Sequence, residues 1–94
     1  MRPEDNEILI RSATDADCRN IQKLVFGVLN EFGLTPEPDG TDADLNDIEK
    51  EYFGRGGVFE VLEGADGKLL GTVGLFPLDN ETVELRKMYF DKSL

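Results

Sequence analysis

The run ETVELRKMYF, residues 81–90, sets charged side chains into an otherwise apolar strand-like segment. Strand alternation predicts Glu84, Arg86, Met88 and Phe90 on one face, with Val83, Leu85, Lys87 and Tyr89 on the other. A carboxylate held among apolar neighbours is partly desolvated, which raises its pKa toward the range useful to a general base. Glu84 is the candidate for that role. The same residue can instead pair with Arg86 or with a neighbouring strand, and spacing alone leaves both readings open.

The chain's other potential chemistry is narrow. It has no histidine and one cysteine, Cys18. Ser-His and Cys-His catalysis, a disulfide framework and the usual zinc and haem ligand sets are therefore excluded. Cys18 falls three residues before Ile21 on an apolar helix face and reads as a small core residue rather than a nucleophile. Asp42, Asp44 and Asn46 imitate the start of a calcium loop. Asp47 replaces the glycine at the sixth position, however, and Phe53 replaces the glutamate at the twelfth. Gly67-Lys68 lacks the rest of a phosphate loop, since Leu62 and Leu69 stand at the first glycine and at the magnesium-binding hydroxyl. Gly54, Gly56 and Gly57 do not complete a dinucleotide fingerprint, because Phe59 takes its last position.

The elements that must position Glu84 follow from hydropathy. Glu7–Arg11 is a short β-prone run. Ile21, Leu24, Val25, Val28, Leu29 and Phe32 recur at helical spacing and predict a helix over 14–32. Thr14 caps it with Asp17 three residues on, and Gly33 closes it. Residues 35–44, TPEPDGTDAD, form an acidic loop. A second helix is predicted over 43–53, with Leu45, Ile48 and Tyr52 on one side, ended by the glycines 54, 56 and 57. Strands follow at about 58–63, 68–76 and 82–90, joined by the turn Gly64-Ala65-Asp66-Gly67 and the connection Pro77-Leu78-Asp79-Asn80. The expected architecture is a single α/β (α+β) domain of β-α-α-β-β-β order, its two N-terminal helices packed on a mostly antiparallel sheet.

Composition bounds the partners. The 94 residues carry 20 acidic and 10 basic side chains, a formal net charge of −10. Such a surface repels phosphate backbones, so nucleic acid is not an expected partner, whereas cationic amines or basic peptides are tolerated. No apolar run is long enough to span a bilayer. The N-terminal MRPEDNE is polar and lacks a signal-like apolar region, so the cytoplasm is the expected compartment. Asn80-Glu81-Thr82 fits the glycosylation triplet but has no secretory context.

Taken in order, ILIRSATDADCRNIQKL, DLNDIEKEYF, GGVFEVLEGADGKLLGTVGLFPL and ETVELRKMYF resemble the N-terminal half of a GNAT-superfamily N-acetyltransferase. The resemblance covers the whole chain and implies transfer of acetyl from acetyl-CoA to an amine. It aligns Glu84 with the general base of some members. It implies that the Met88 backbone N–H polarises the thioester carbonyl. Backbone groups around Met88, Tyr89 and Phe90 would pair with pantetheine in the manner of an added strand. The loop after the first helix, with Phe32, Leu34 and Asp39, would form the acceptor-binding wall. In the superfamily this strand leads into an R/Q-x-x-G-x-G/A loop whose helix N-terminus binds the coenzyme A pyrophosphate. The sequence ends at DKSL, about where that loop begins. The expectation is thus a truncated domain not competent alone. The alternative is a non-catalytic interaction module that forms a homodimer through its open last strand.

Overall fold

The computed structural model describes residues 7–92. The polar stretch 1–6 and the last two residues of DKSL lie outside the described residues. Strand β1 is Ile8–Ser12, helix α1 Cys18–Glu31, helix α2 Ile48–Glu51, and strands β2, β3 and β4 are Val58–Gly64, Leu69–Pro77 and Val83–Phe90. Among the described residues the strands form one antiparallel sheet in the order β1-β2-β3-β4.

α1 is entered through a 3₁₀ turn, Asp15–Asp17, rather than as one helix from residue 14. The Asp17 carboxylate accepts from the Thr14 amide at 2.9 Å, the back-reaching half of a capping box. At the far end Gly33 adopts φ +74°. The Leu34 amide then donates to the Leu29 carbonyl at 2.8 Å, the i→i−5 closure of a Schellman end. Phe32, expected on the apolar face, lies beyond the last turn and is 76% exposed.

The single helix expected over 43–53 is broken. It consists of a 3₁₀ turn Ala43–Asn46, the one α-turn of α2, and a second 3₁₀ turn Phe53–Arg55. Asp47 is the cause. Its backbone is non-helical, at φ −153° and ψ 73°, and its carboxylate accepts from the Lys50 amide at 3.3 Å, so it starts a new helix instead of continuing one. Leu45, Ile48 and Tyr52 nevertheless all reach the core.

The core lies between the helical layer and one sheet face. Ile21, Val25 and Leu29 of α1 and Leu45, Ile48 and Tyr52 pack on Phe59, Val61 and Leu69. Tyr52 meets Phe59 edge-on, with ring centroids 4.9 Å apart, and meets Phe76 edge-on at 5.8 Å. Cys18 packs against this core, and burial pushes its thiol pKa up. The opposite sheet face carries the rows Ile10-Leu62-Gly71-Phe90 and Val58-Leu75-Leu85. Its Ile10, Leu75, Leu85 and Phe90 are exposed.

Glycine is required at position 74. A Cβ there would stand 2.7 Å from Tyr52 Cε1 and 3.0 Å from Phe59 Cδ2. Gly74→Ala is expected to lower stability by about 1–3 kcal/mol through overpacking. A fall in the urea midpoint at unchanged slope checks it.

Arg11 joins three elements, with Nη2 2.9 Å from Asp17 Oδ1 and 3.4 Å from Glu63 Oε2. The Arg11 guanidinium holds the Asp17 carboxyl below its ordinary value of 3.8. A depressed folded-state pKa stabilises the fold above the ordinary value, and that stability is lost as pH falls through the lowered one. Arg11→Met should therefore cost about 1–2 kcal/mol at pH 7. The difference from wild type should narrow below pH 3.8, as urea titrations at pH 7 and pH 3 would show.

Candidate functional site

β4 does not alternate regularly. The register passes from Gly74↔Arg86 to Thr72↔Tyr89, so Lys87 and Met88 together oppose Val73. This is a β-bulge, and Lys87 takes its left-handed position at φ +52°. A non-glycine residue there costs about 1–2 kcal/mol. The bulge corrects the expected faces. Glu84, Arg86 and Tyr89 share the side of Phe76, Gly74 and Thr72, and Phe90 falls opposite Gly71 on the other side. The Lys87 side chain turns into the helical layer. Beyond the bulge the Asp91 amide donates to the Leu70 carbonyl at 2.8 Å. Alternation from that bond points the main-chain groups of Tyr89 toward β3 and those of Met88 and Phe90 toward the open edge.

Glu84 is not enclosed by apolar neighbours, for its side chain is 46% exposed and it accepts a hydrogen bond from Arg86 Nε. Among the described residues β4 is the edge strand of the sheet, which leaves one flank of Glu84 open to water. Arg86 in turn stacks on Phe76, its guanidinium carbon 3.8 Å from the ring centroid. The pair with Glu84 holds the Arg86 guanidinium above its ordinary pKa.

The sequence reading missed that the Lys87 side chain is largely buried. Its side chain is 9% exposed, with Nζ 3.3 Å from Asp42 Oδ1 and 3.2 Å from Asp44 Oδ1. It also donates to the Thr41 carbonyl at 3.3 Å. Asp44 accepts from the Tyr52 hydroxyl through its other oxygen. Burial, reinforced by that carboxylate, pushes the Tyr52 pKa far up and keeps it a neutral donor. Asp42 Oδ2 accepts from the Glu37 amide at 2.9 Å. The two aspartates that imitate a calcium loop thus serve a lysine. The available signal was a lysine in an apolar strand, which needs a carboxylate partner when buried.

Phe32, Leu34 and Asp39 all lie exposed on the segment between α1 and α2. The contact that joins this segment to β4 runs through Thr41, Asp42 and Asp44. A separate groove of about 440 Å³ lies between α1 and the β2–β3 turn, lined by Leu24, Val28 and Leu69 with Lys23, Glu31 and Lys68. It contains none of the residues expected from the sequence. Among the described residues no group of three or more metal-ligating side chains could hold a metal ion, and no helix is long and apolar enough to cross a membrane.

No protein-family model and no curated protein matches this sequence. Solved structures do. An acetyltransferase of GNAT family from Staphylococcus aureus Mu50 superposes with a TM-score of 0.87 at 30% identity, covering 93% of this chain and 54% of its own. An acetyltransferase from Streptococcus agalactiae 2603 gives 0.78 at 19% identity, covering 92% and 53%. The spermidine N-acetyltransferase of Vibrio cholerae, in complex with CoA and spermine, gives 0.58 at 18% identity, covering 92% and 52%. The chain spans about half the length of each. Its four-stranded antiparallel sheet and two packed helices are therefore the fold of the N-terminal portion of a GNAT-family acetyltransferase.

Proposed function

We propose that these residues supply the acceptor side and the thioester-facing strand edge of an N-acetyltransferase that moves acetyl from acetyl-CoA to an amine. The observation that carries this reading is the bulge at Lys87–Met88, beyond which the main-chain groups of Met88 and Phe90 face an edge with no partner strand among the described residues. An extended pantetheine can pair with such an edge as an added strand. The Met88 N–H then donates to the thioester oxygen and stabilises the negative charge that develops there. Glu84 takes a proton from the acceptor ammonium directly or through a water, the neutral amine so formed attacks the carbonyl carbon, and the C–S bond breaks as the departing thiolate accepts the second amine proton. Tyr89 contributes backbone on the β3 side, opposite Thr72.

The acceptor on this reading is a cationic amine. The net charge of −10 favours its approach, and the segment between α1 and α2 exposes Asp39 as well as Phe32 and Leu34, offering acidic and apolar side chains to an acceptor. A solved relative in fold that holds CoA and spermine supports the same class. The acidity also argues against a nucleic-acid partner, and the unpaired Cys18 thiol suits the cytoplasm. The pyrophosphate anchor that the resemblance assigns to a following helix is not among these residues, so the isolated chain is not expected to turn over.

Acetyl-CoA added to the isotopically labelled chain should shift the amides of Met88 to Phe90 and leave those of β1 in place. In a longer chain that contains these residues and turns over, Glu84→Gln should lower kcat by about 10²-fold or more at neutral pH, with acetyl-CoA affinity unchanged. Unmoved amides would remove the strand-edge site, and an unchanged kcat would remove Glu84 from the base role.

The exposed Val83, Leu85 and Met88 on an edge strand favour a second reading, a non-catalytic module that self-associates through β4. Sedimentation should then show dimers that Met88→Pro dissociates by deleting an outward N–H. A monomer at high concentration would dismiss this reading.

A further inference from the structure

Lys87 takes no part in the chemistry above, yet it joins the segment expected to meet the acceptor to the strand expected to meet the thioester. It is held at both ends. Its carbonyl accepts from Thr72 Oγ1 at 2.6 Å, and its ammonium lies between Asp42 and Asp44. Each aspartate is itself anchored. The Asp42 amide donates to the Glu37 carbonyl at 2.9 Å while its Oδ2 accepts from the Glu37 amide at 2.9 Å, which closes the loop 37–42 on itself. Asp44 is fixed by the buried Tyr52 hydroxyl. Its Oδ1 is buried with no hydrogen bond of good geometry, so the Lys87 ammonium is its counter-charge. A bulge residue at φ +52° is ordinarily glycine. Here a lysine occupies the position, and its charge has a destination.

We propose that Lys87 is a positioning residue that couples the acidic segment 37–46 to the open edge of β4. The aspartates hold the bulge, and the bulge directs the main-chain groups of Met88 and Phe90 outward. The functional meaning of the coupling rests on the reading of that edge as an acyl-CoA site, whereas the physical tie stands apart from it. Linkage requires the effect to run both ways, so occupancy of the edge alters the order of the segment.

Residue-resolved amide hydrogen exchange on the 94-residue chain tests this. Lys87→Gly suits the left-handed backbone and deletes only the tie. Amides of 37–46 should then exchange about tenfold faster or more, because two buried carboxylates lose their shared cation, while β2 and β3 keep their protection. Lys87→Met should do the same and also speed exchange at Asp91, whose bond to Leu70 depends on the bulge. Asp42→Asn keeps the shape of the loop and should give a smaller increase in 37–46, which decides the matter should the Lys87 variants fail to fold. Acetyl-CoA should alter exchange at both Met88–Phe90 and 37–46 in wild type, but only at Met88–Phe90 in Lys87→Gly. Undiminished protection of 37–46 in Lys87→Gly and Asp42→Asn would overturn the proposal, as would an acetyl-CoA response of the segment that survives Lys87→Gly. If acetyl-CoA alters nothing in wild type, the acyl-CoA reading and the linkage fall together, and the exchange of the variants alone supports or overturns the tie.

Discussion

An ammonium cannot leave water without a counter-charge close by. Lys87 is almost out of water, and much of the arrangement around β4 answers that demand. Asp42 and Asp44 must lie against the strand, so the segment after α1 is drawn over the sheet instead of extending into solvent. Tyr52 must place its hydroxyl on Asp44, which fixes the ring that fills the centre of the core. Gly74 must lack a side chain because that ring and Phe59 occupy its space. One buried charge thus connects the acidic loop, the aromatic core and the irregularity of the last strand.

The fold class was legible because it rests on spacing. Ile21, Val25 and Leu29 recur at helical intervals, and the last three strands are separated by turn-forming residues whose chemistry is local. The irregular features were not legible for the same reason. A bulge belongs to a pair of strands, and nothing in VELRKMYF alone states that Val73 will face two residues. The break at Asp47 arises from a side chain competing for a backbone amide, which apolar periodicity does not register.

The candidate site was legible in place but not in detail. Glu84 and the Met88–Phe90 run lie on one strand, as the sequence implies. Of the two environments the sequence leaves open for Glu84, the structure has the pair with Arg86, on an edge strand with one flank open to water. Asp42 and Asp44 were recognised as an incomplete imitation of a calcium loop and left without a partner, since the lysine that completes them stands more than forty residues further on. Long-range charge pairing is the part of a site that local pattern conveys least.

The order of the strands also bears on how the chain comes together. β2, β3 and β4 follow one another through short turns, so each of their pairings closes a small loop. β1 must instead find β2 across the whole helical segment, pairing Ser12 with Glu60. The meander can assemble from near neighbours and offer a template, and β1 arrives last with the larger entropic cost. Pulling from the N-terminus would for the same reason strip β1 from the edge first and leave the meander, with its bulge, intact.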